Sequence, residues 1–409
     1  MRSLVFVFLV LIVAACGSTS SSSNGDSNNG GDGGSTADAG SAFPADHPAL
    51  PQVLNAGGPV LASPKFIAIT FPNDTLATSI ADFSTKIGAS AYWTSVTSEY
   101  GVGPATSMAV QETTSPAASV SDDDIQSFLQ SEFGKSLPVP VAGNVYALYY
   151  PEGTTVTLQG EKGCESFGGY HADIPLSATT FATYAVIPRC PPQFSGVTEL
   201  DTLTGAASHE YIEAATDPFP YDNPAWSNVD ANGGAWAISG GGAEIGDMCA
   251  TLGNVFSKTT DVPYLVQRTW SNAAAAASHD PCVPQGLSPY FGAAPNLPDT
   301  ESLNVATNAK QTVNLVHIPV GSTQTIELDL FSDADTQGTF TVSAIDFATA
   351  LGQGNPELSF TFDKSSGQNG DKINMTIKAL SKDPKDLAGF FIISTLGSNM
   401  TFWVGGVEN

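Results

Sequence analysis

The spacing of apolar residues changes character near residue 290, and this change limits the chain to a fold of two unlike parts. Before that point, strand-like runs alternate with segments whose apolar residues recur at helical spacing. After it, no helical spacing of any length is found.

The first part contains the strand-like run PKFIAITFP (64–72). Thr75 to Tyr100 follows as a helix, with Leu76, Ile80, Phe83, Ile87 and Ala91 on one face. Ser121 caps a second helix, and Asp122, Asp123 and Asp124 sit at its positive end. NVYALYYP (144–151), Gly168 to Ile174 and Phe181 to Ile187 read as further strands. A helix from Thr202 to Thr216 stops before Asp217-Pro218, because proline blocks continuation. Pro218 to Gly242 reads as a loop, and VPYLVQRTW (262–270) as one more strand. The expectation is an α/β domain over 44–285.

The second part, 290–409, carries seven short β-type runs: TVNLVHIPV, TIELDLF, TFTVSAIDF, ELSFTF, KINMTIKA, GFFIIST and MTFWVGG. Gly, Asp, Asn, Ser and Pro separate them, which predicts an all-β sandwich of immunoglobulin-like architecture, without the Cys–Trp–Cys mark. No residue pattern there suggests chemistry, so it reads as a spacer or adhesion module.

Two shorter segments precede both parts. MRSLVFVFLVLIVAACGS holds one charge, Arg2, then an apolar run too short to span a bilayer. Small residues before Cys16 fit a lipoprotein signal peptide over 1–15, with cleavage ahead of a lipidated Cys16. Acyl chains there would tether the chain to a membrane. Gly17 rather than Asp follows the cysteine, which favours an outer membrane or the cell surface. Residues 16–43 are rich in Ser, Gly and Asn and read as a flexible tether.

The chain has 14 Lys+Arg against 40 Asp+Glu and a formal net charge of −26, which argues against nucleic acid as a partner. Setting Cys16 aside leaves Cys164, Cys190, Cys249 and Cys282. None of them forms a C-x-x-C pair, so an exported chain would use them as two disulfides. Each of the pairs Cys164–Cys190 and Cys249–Cys282 brackets neighbouring elements, and these are the expected bridges.

The stretch GAASHEYIEAATDPFP, followed by GAEIGDMC, can carry chemistry. His209 and Glu213 are four apart and share a helical face, where an imidazole and a carboxylate can grip one metal ion. Glu210 flanks them, as the general base does in zinc peptidases of the H-E-x-x-H type; here the second His is Glu213. Glu244 is the expected third ligand, with Asp247 behind it to orient the imidazole or to act as a ligand. His171 in FGGYHAD is either a ligand or a donor to a substrate oxyanion. The pattern predicts a zincin-like mixed α/β domain holding zinc; the acid-rich set would also suit manganese or iron. Asn228 to Gly233 matches the first half of a calcium loop, but Ser239 stands at the twelfth position, where such a loop needs Glu.

These segments, taken in order, resemble the EXORDIUM or phosphate-induced protein family of plant extracellular proteins and their bacterial relatives. The matching residues are Cys164, Gly169-Tyr170-His171, His209-Glu210-Tyr211-Ile212-Glu213, Thr216-Asp217-Pro218, Ala225-Trp226, Glu244-Ile245-Gly246-Asp247-Met248-Cys249 and Leu265-Val266-Gln267-Arg268-Thr269-Trp270. Tyr211 stands where the family usually has Leu and Asp217 where it has Asn, and the loop before Glu244 is longer. The match spans about 58–283 and implies an extracellular, wall-associated role without assigning a reaction. Two functions follow as expectations. One is a metallohydrolase of peptide or another extracellular polymer, with zinc on His209, Glu213 and Glu244 and Glu210 as base. The other is a non-catalytic surface or wall-binding module with Trp226 and Trp236 as stacking platforms.

Overall fold

The computed structural model describes residues 42–177, 180–192, 195–240, 242–250, 254–306, 309–352, 355–382 and 387–409. The expected signal peptide, Cys16 and nearly all of the tether lie outside the described residues.

Five strands build the first sheet: β1 (Lys65–Thr70), β2 (Thr106–Gln111), β3 (Asn144–Tyr149), β4 (Tyr170–Pro175) and β5 (Phe181–Ile187). Their order is β2-β1-β3-β5-β4. The first four in that order run parallel, while β4 pairs antiparallel with β5 at the edge, His171 opposite Ala185. β3 is buried along its whole length because both faces of the sheet are covered. Val145, Ala147 and Tyr149 join the core under α1 (Ala77–Ile87) and α3 (Glu199–Thr216). Tyr146 and Leu148 join Ile125 and Leu129 of α2 (Asp122–Glu132) on the other face.

Local chemistry sets the helix limits. The single helix expected over 75–100 is interrupted: α1 ends at Ile87, and a short helix, Ala91–Thr97, starts where Ser90 Oγ accepts from Trp93 N at 2.9 Å. α3 begins at Glu199 rather than Thr202 because Thr198 and Asp201 close a capping box. The expected strand over 262–270 is two pieces, Leu265–Gln267 and Thr269–Trp270. Arg268 lies between them, with its buried guanidinium 2.7 Å from Asp280. The expected loop 218–242 contains a strand, Trp226–Val229, and α4 (Gly234–Gly240). A seven-residue helix is too short to be stable alone, so α4 owes its existence to packing rather than propensity. α5 (Asp247–Ala250) follows it.

The second part is two sheets. One has the order β6-β9-β13-β11, the other β7-β8-β15-β14-β10-β12. In chain order these strands are β6 (Phe291–Pro295), β7 (Asp299–Ala306), β8 (Ala309–His317), β9 (Thr323–Ser332), β10 (Phe340–Asp346), β11 (Leu358–Phe362), β12 (Ser366–Gly367), β13 (Lys372–Ala379), β14 (Ala388–Leu396) and β15 (Asn399–Glu408). Burial alternates along β13, Ile373, Met375, Ile377 and Ala379 facing inward, as a sheet covered on one face requires. A four-residue helix, Phe347–Ala350, interrupts what the sequence presents as a helix-free region.

The two parts share one apolar core. Trp236 of α4 is its hinge pin, with ring centroids 5.8 Å from Trp270 and 6.0 Å from Trp403 of β15. Asn314 N donates to Ala231 O at 2.9 Å, and Gln311 Nε2 to Val229 O at 3.0 Å. The α4 segment is therefore docked on the sandwich. Two disulfides, Cys164–Cys190 and Cys249–Cys282, close loops of sequence separation 26 and 33. Each contributes about 3–4 kcal/mol in the chain-entropy model. Such bridges belong to chains that fold in oxidising compartments. Among the described residues no helix is long and apolar enough to cross a membrane.

Candidate metal centre

α3 carries the site on the face it turns toward β4. His209 Nε2 lies 2.8 Å from Glu213 Oε2, as one-turn spacing allows. His171 reaches the same space because residues alternate along β4: Tyr170, Ala172 and Ile174 enter the core beside α2, leaving His171 for the α3 side. Its Nδ1 lies 3.6 Å from Glu210 Oε2 and 3.8 Å from Glu213 Oε2. Its Nε2 lies 3.1 Å from Asp217 O, a carbonyl that only accepts, so Nε2–H donates there and Nδ1 faces the carboxylates. Glu244 Oε1 is 3.5 Å from His171 Nε2 and has no hydrogen-bond partner.

The α5 segment supplies the far wall. Asp247 N donates to Glu213 Oε1 at 3.1 Å, and Asp247 Oδ1 stands 3.8 Å from His209 Nε2. Gln267 Nε2 donates to Gly246 O at 2.8 Å, which fixes the turn. Gly246 is required by close approach: a Cβ there would stand 2.5 Å from His209 Nδ1 and 2.6 Å from Glu213 Oε1. The cavity between these walls measures about 30 Å³, and its lining includes Tyr221 and Pro220 beside the six named side chains. Neither Tyr221 nor Pro220 stands out in the sequence, since nothing in their spacing ties them to α3; Gln267 falls in the matched Leu265–Trp270 segment, but nothing there shows that it supports the site.

Atoms that could ligate a metal fall into two sets, each with its atoms within 4.8 Å of one another: His209, Glu213 and Asp247, with Asp247 half-buried, and His171, Glu213 and Glu244, all buried. The expected trio of His209, Glu213 and Glu244 is thus divided, Asp247 standing with His209 and Glu244 with His171. A third set, Glu301, His317 and Glu408, lies on the sandwich and is largely exposed.

Burial first, then the neighbouring carboxylates, push Glu213, Glu244 and Asp247 well above the usual carboxylate range. Burial pulls the His171 imidazole down, but Glu210 and Glu213 overcome this and leave it above its ordinary value. Asp217 is raised by burial, and its Oδ1 accepts from Ala225 N at 2.6 Å, so it closes the end of α3.

Two other expectations meet a different arrangement. In the Asn228–Gly233 segment Asp230 Oδ1 accepts from Gly233 N at 3.0 Å, and Asn232 Oδ1 from Asn314 Nδ2 at 2.6 Å. These oxygens serve a turn and the docking to the sandwich. Of the two tryptophans, one is buried and the other half-buried. Trp236 is 5% exposed inside the shared core, and Trp226 Nε1 donates to Tyr100 O at 3.1 Å.

No family model matches this chain, and no curated protein does. Among solved structures, domains 4 and 5 of the S-layer protein SbsC align at 14% identity over 28% of this chain and 47% of that chain, with a TM-score of 0.18. This chain therefore spans about half of that fragment. A chimeric titin Z1Z2 aligns at 16% identity over 29% of this chain and 95% of that one, with a TM-score of 0.17. A Bacteroides ovatus GH5 xyloglucanase aligns at 14% identity over 23% of this chain and 16% of that one, with a TM-score of 0.15. Similarities this low carry no argument about fold or activity.

Proposed function

We propose that this chain is a metal-dependent hydrolase of zincin-like type, acting outside the cytoplasm on a peptide or another extracellular polymer. One observation carries the reading. Glu210, Glu213, Glu244 and Asp247 are gathered with His171 and His209 around one cavity, and no Lys or Arg is among its lining residues. Four carboxylates taken out of water cost several kcal/mol each unless positive charge compensates them. The donor set of imidazole nitrogens and carboxylate oxygens suits zinc, and manganese or iron as well.

A divalent ion bound there supplies Lewis acidity, polarising a carbonyl and acidifying a water. The remaining work falls to the chain. Glu210 borders the cavity beside His209 and is the group to accept a proton from the attacking water. His171, with Nδ1 turned inward, acts as a ligand rather than as an oxyanion donor. β4 is the edge strand of its sheet, where an extended peptide can add by backbone pairing. The lipoprotein reading of Cys16, and with it an outer-membrane or cell-surface location, belongs to this proposal, as does the resemblance to the EXORDIUM family. The two disulfides suit such a location.

Glu210→Gln tests the reading. Hydrolysis of a peptide library by zinc-loaded protein should fall about 100-fold in the variant while its metal content is unchanged. Equal hydrolysis by the two proteins, or none by the loaded wild type on peptide or wall-polymer substrates, would overturn it.

A further inference from the structure

We propose that the cavity holds two divalent cations, with Glu213 as the bridging carboxylate. The proposal rests on the metal-centre reading above and extends it to a second ion. A single catalytic zinc takes three protein ligands and keeps one position open. This site offers five candidate donor residues, and they do not converge on one point. They divide into His209, Glu213 and Asp247 on one side and His171, Glu213 and Glu244 on the other. Each half has one imidazole and two carboxylates, and the two imidazoles fall in different halves. Glu213 belongs to both, its Oε2 lying 2.8 Å from His209 Nε2 and 3.8 Å from His171 Nδ1.

Charge leads to the same count. Glu210, Glu213, Glu244 and Asp247 place four carboxyl groups in a cavity lined by no Lys or Arg. Ionised together, they carry more negative charge than one dication offsets, and two dications match it. Space allows it: the cavity of about 30 Å³ has room for about two water-sized particles. Glu244 Oε1, buried and without a hydrogen-bond partner, is the donor that a single ion on His209, Glu213 and Asp247 leaves unused. A carboxylate-bridged pair is the architecture of two-metal hydrolytic sites, where ions about 3.5–4 Å apart clamp the attacking and leaving oxygens.

The test is stoichiometry, read independently of activity. Purified protein is dialysed against EDTA, titrated with Mn²⁺, and its bound metal counted by mass spectrometry and electron paramagnetic resonance. Two ions per chain with an exchange-coupled Mn²⁺ signal are expected. Asp247→Asn and Glu244→Gln should each leave one ion and an uncoupled signal, and Glu213→Gln should abolish the coupling. These isosteric changes remove buried charge, so circular dichroism of each metal-free variant should match the wild type. One ion per chain that survives Glu244→Gln with unchanged affinity overturns the second ion and leaves the hydrolase reading standing. No bound ion overturns both.

Discussion

His209 and Glu213 meet at 2.8 Å on one face of α3, and Gly246 presses against both from the α5 segment. A side chain at 246 has no room, since its Cβ would stand 2.5 Å from His209 Nδ1. Gly246→Ala should push the imidazole off its line and weaken metal binding about 10-fold or more, as misplaced support around ligands does. Metal titration followed by fluorescence checks this. Unchanged affinity would mean that the glycine serves the turn alone.

Without metal the site should make stability depend on pH in one direction. Glu213, Glu244 and Asp247 have folded pKa values raised by burial and by one another. Between their unfolded values, about 4, and those raised values the folded chain holds more protons than the unfolded one. The stability these groups contribute is therefore complete below about pH 4 and is lost as pH rises through the folded values. Metal-free protein should unfold at lower urea concentration at pH 8 than at pH 5, and saturating zinc should reverse the trend. The carboxylate ligands then stay ionised and the imidazole ligands stay neutral, while the unfolded chain protonates its histidines at pH 5. Glu213→Gln should flatten the metal-free profile.

The sandwich should brace the site. Trp403 packs on Trp236 of α4, and α4 leads into the segment bearing Glu244 and Asp247. Trp403→Ala removes a buried ring from the shared core and should cost about 3–5 kcal/mol. Unfolding followed by tryptophan fluorescence and by metal release should coincide. Release of metal that is indifferent to the loss of Trp403 would make the sandwich an independent appendage.

The anchor has its own test. Cys16→Ser should abolish palmitate labelling in a bacterial host that lipidates exported proteins, and the chain should leave the membrane fraction. Labelling that persists in the variant would contradict the lipoprotein reading.

The change of pattern near 290, the even cysteine count and the one-turn spacing of His209 and Glu213 were readable in sequence because each depends on local periodicity or composition. The ligand partition was not. Whether Glu244 faces His171 or His209 depends on the hydrogen bonds from Gln267 to Gly246 O and from Asp247 N to Glu213, which join residues far apart in the chain. α4 escaped for a related reason. Its seven residues, GAWAISG, are too few to be helical on their own, and tertiary packing of Trp236 against Trp270 and Trp403 decides its conformation. The same packing hides an aromatic residue that the surrounding glycines present as loop-borne and exposed. The fusion of both parts into one core had no local signature, because β-runs look alike whether they stand alone or carry a neighbour.

Thermal unfolding of the protein after EDTA dialysis, with and without zinc or manganese, shows whether the cavity beside α3 binds metal. A ligand that binds only the native state raises its stability, by about 2.7 kcal/mol at 100-fold excess over Kd. Tm should rise by several degrees in wild type, by less in His209→Ala, which keeps the His171 half, and by little or nothing in Glu213→Gln, which lacks the ligand common to both halves. A melting temperature that neither ion moves, in wild type as in the variants, would contradict the metal-centre reading.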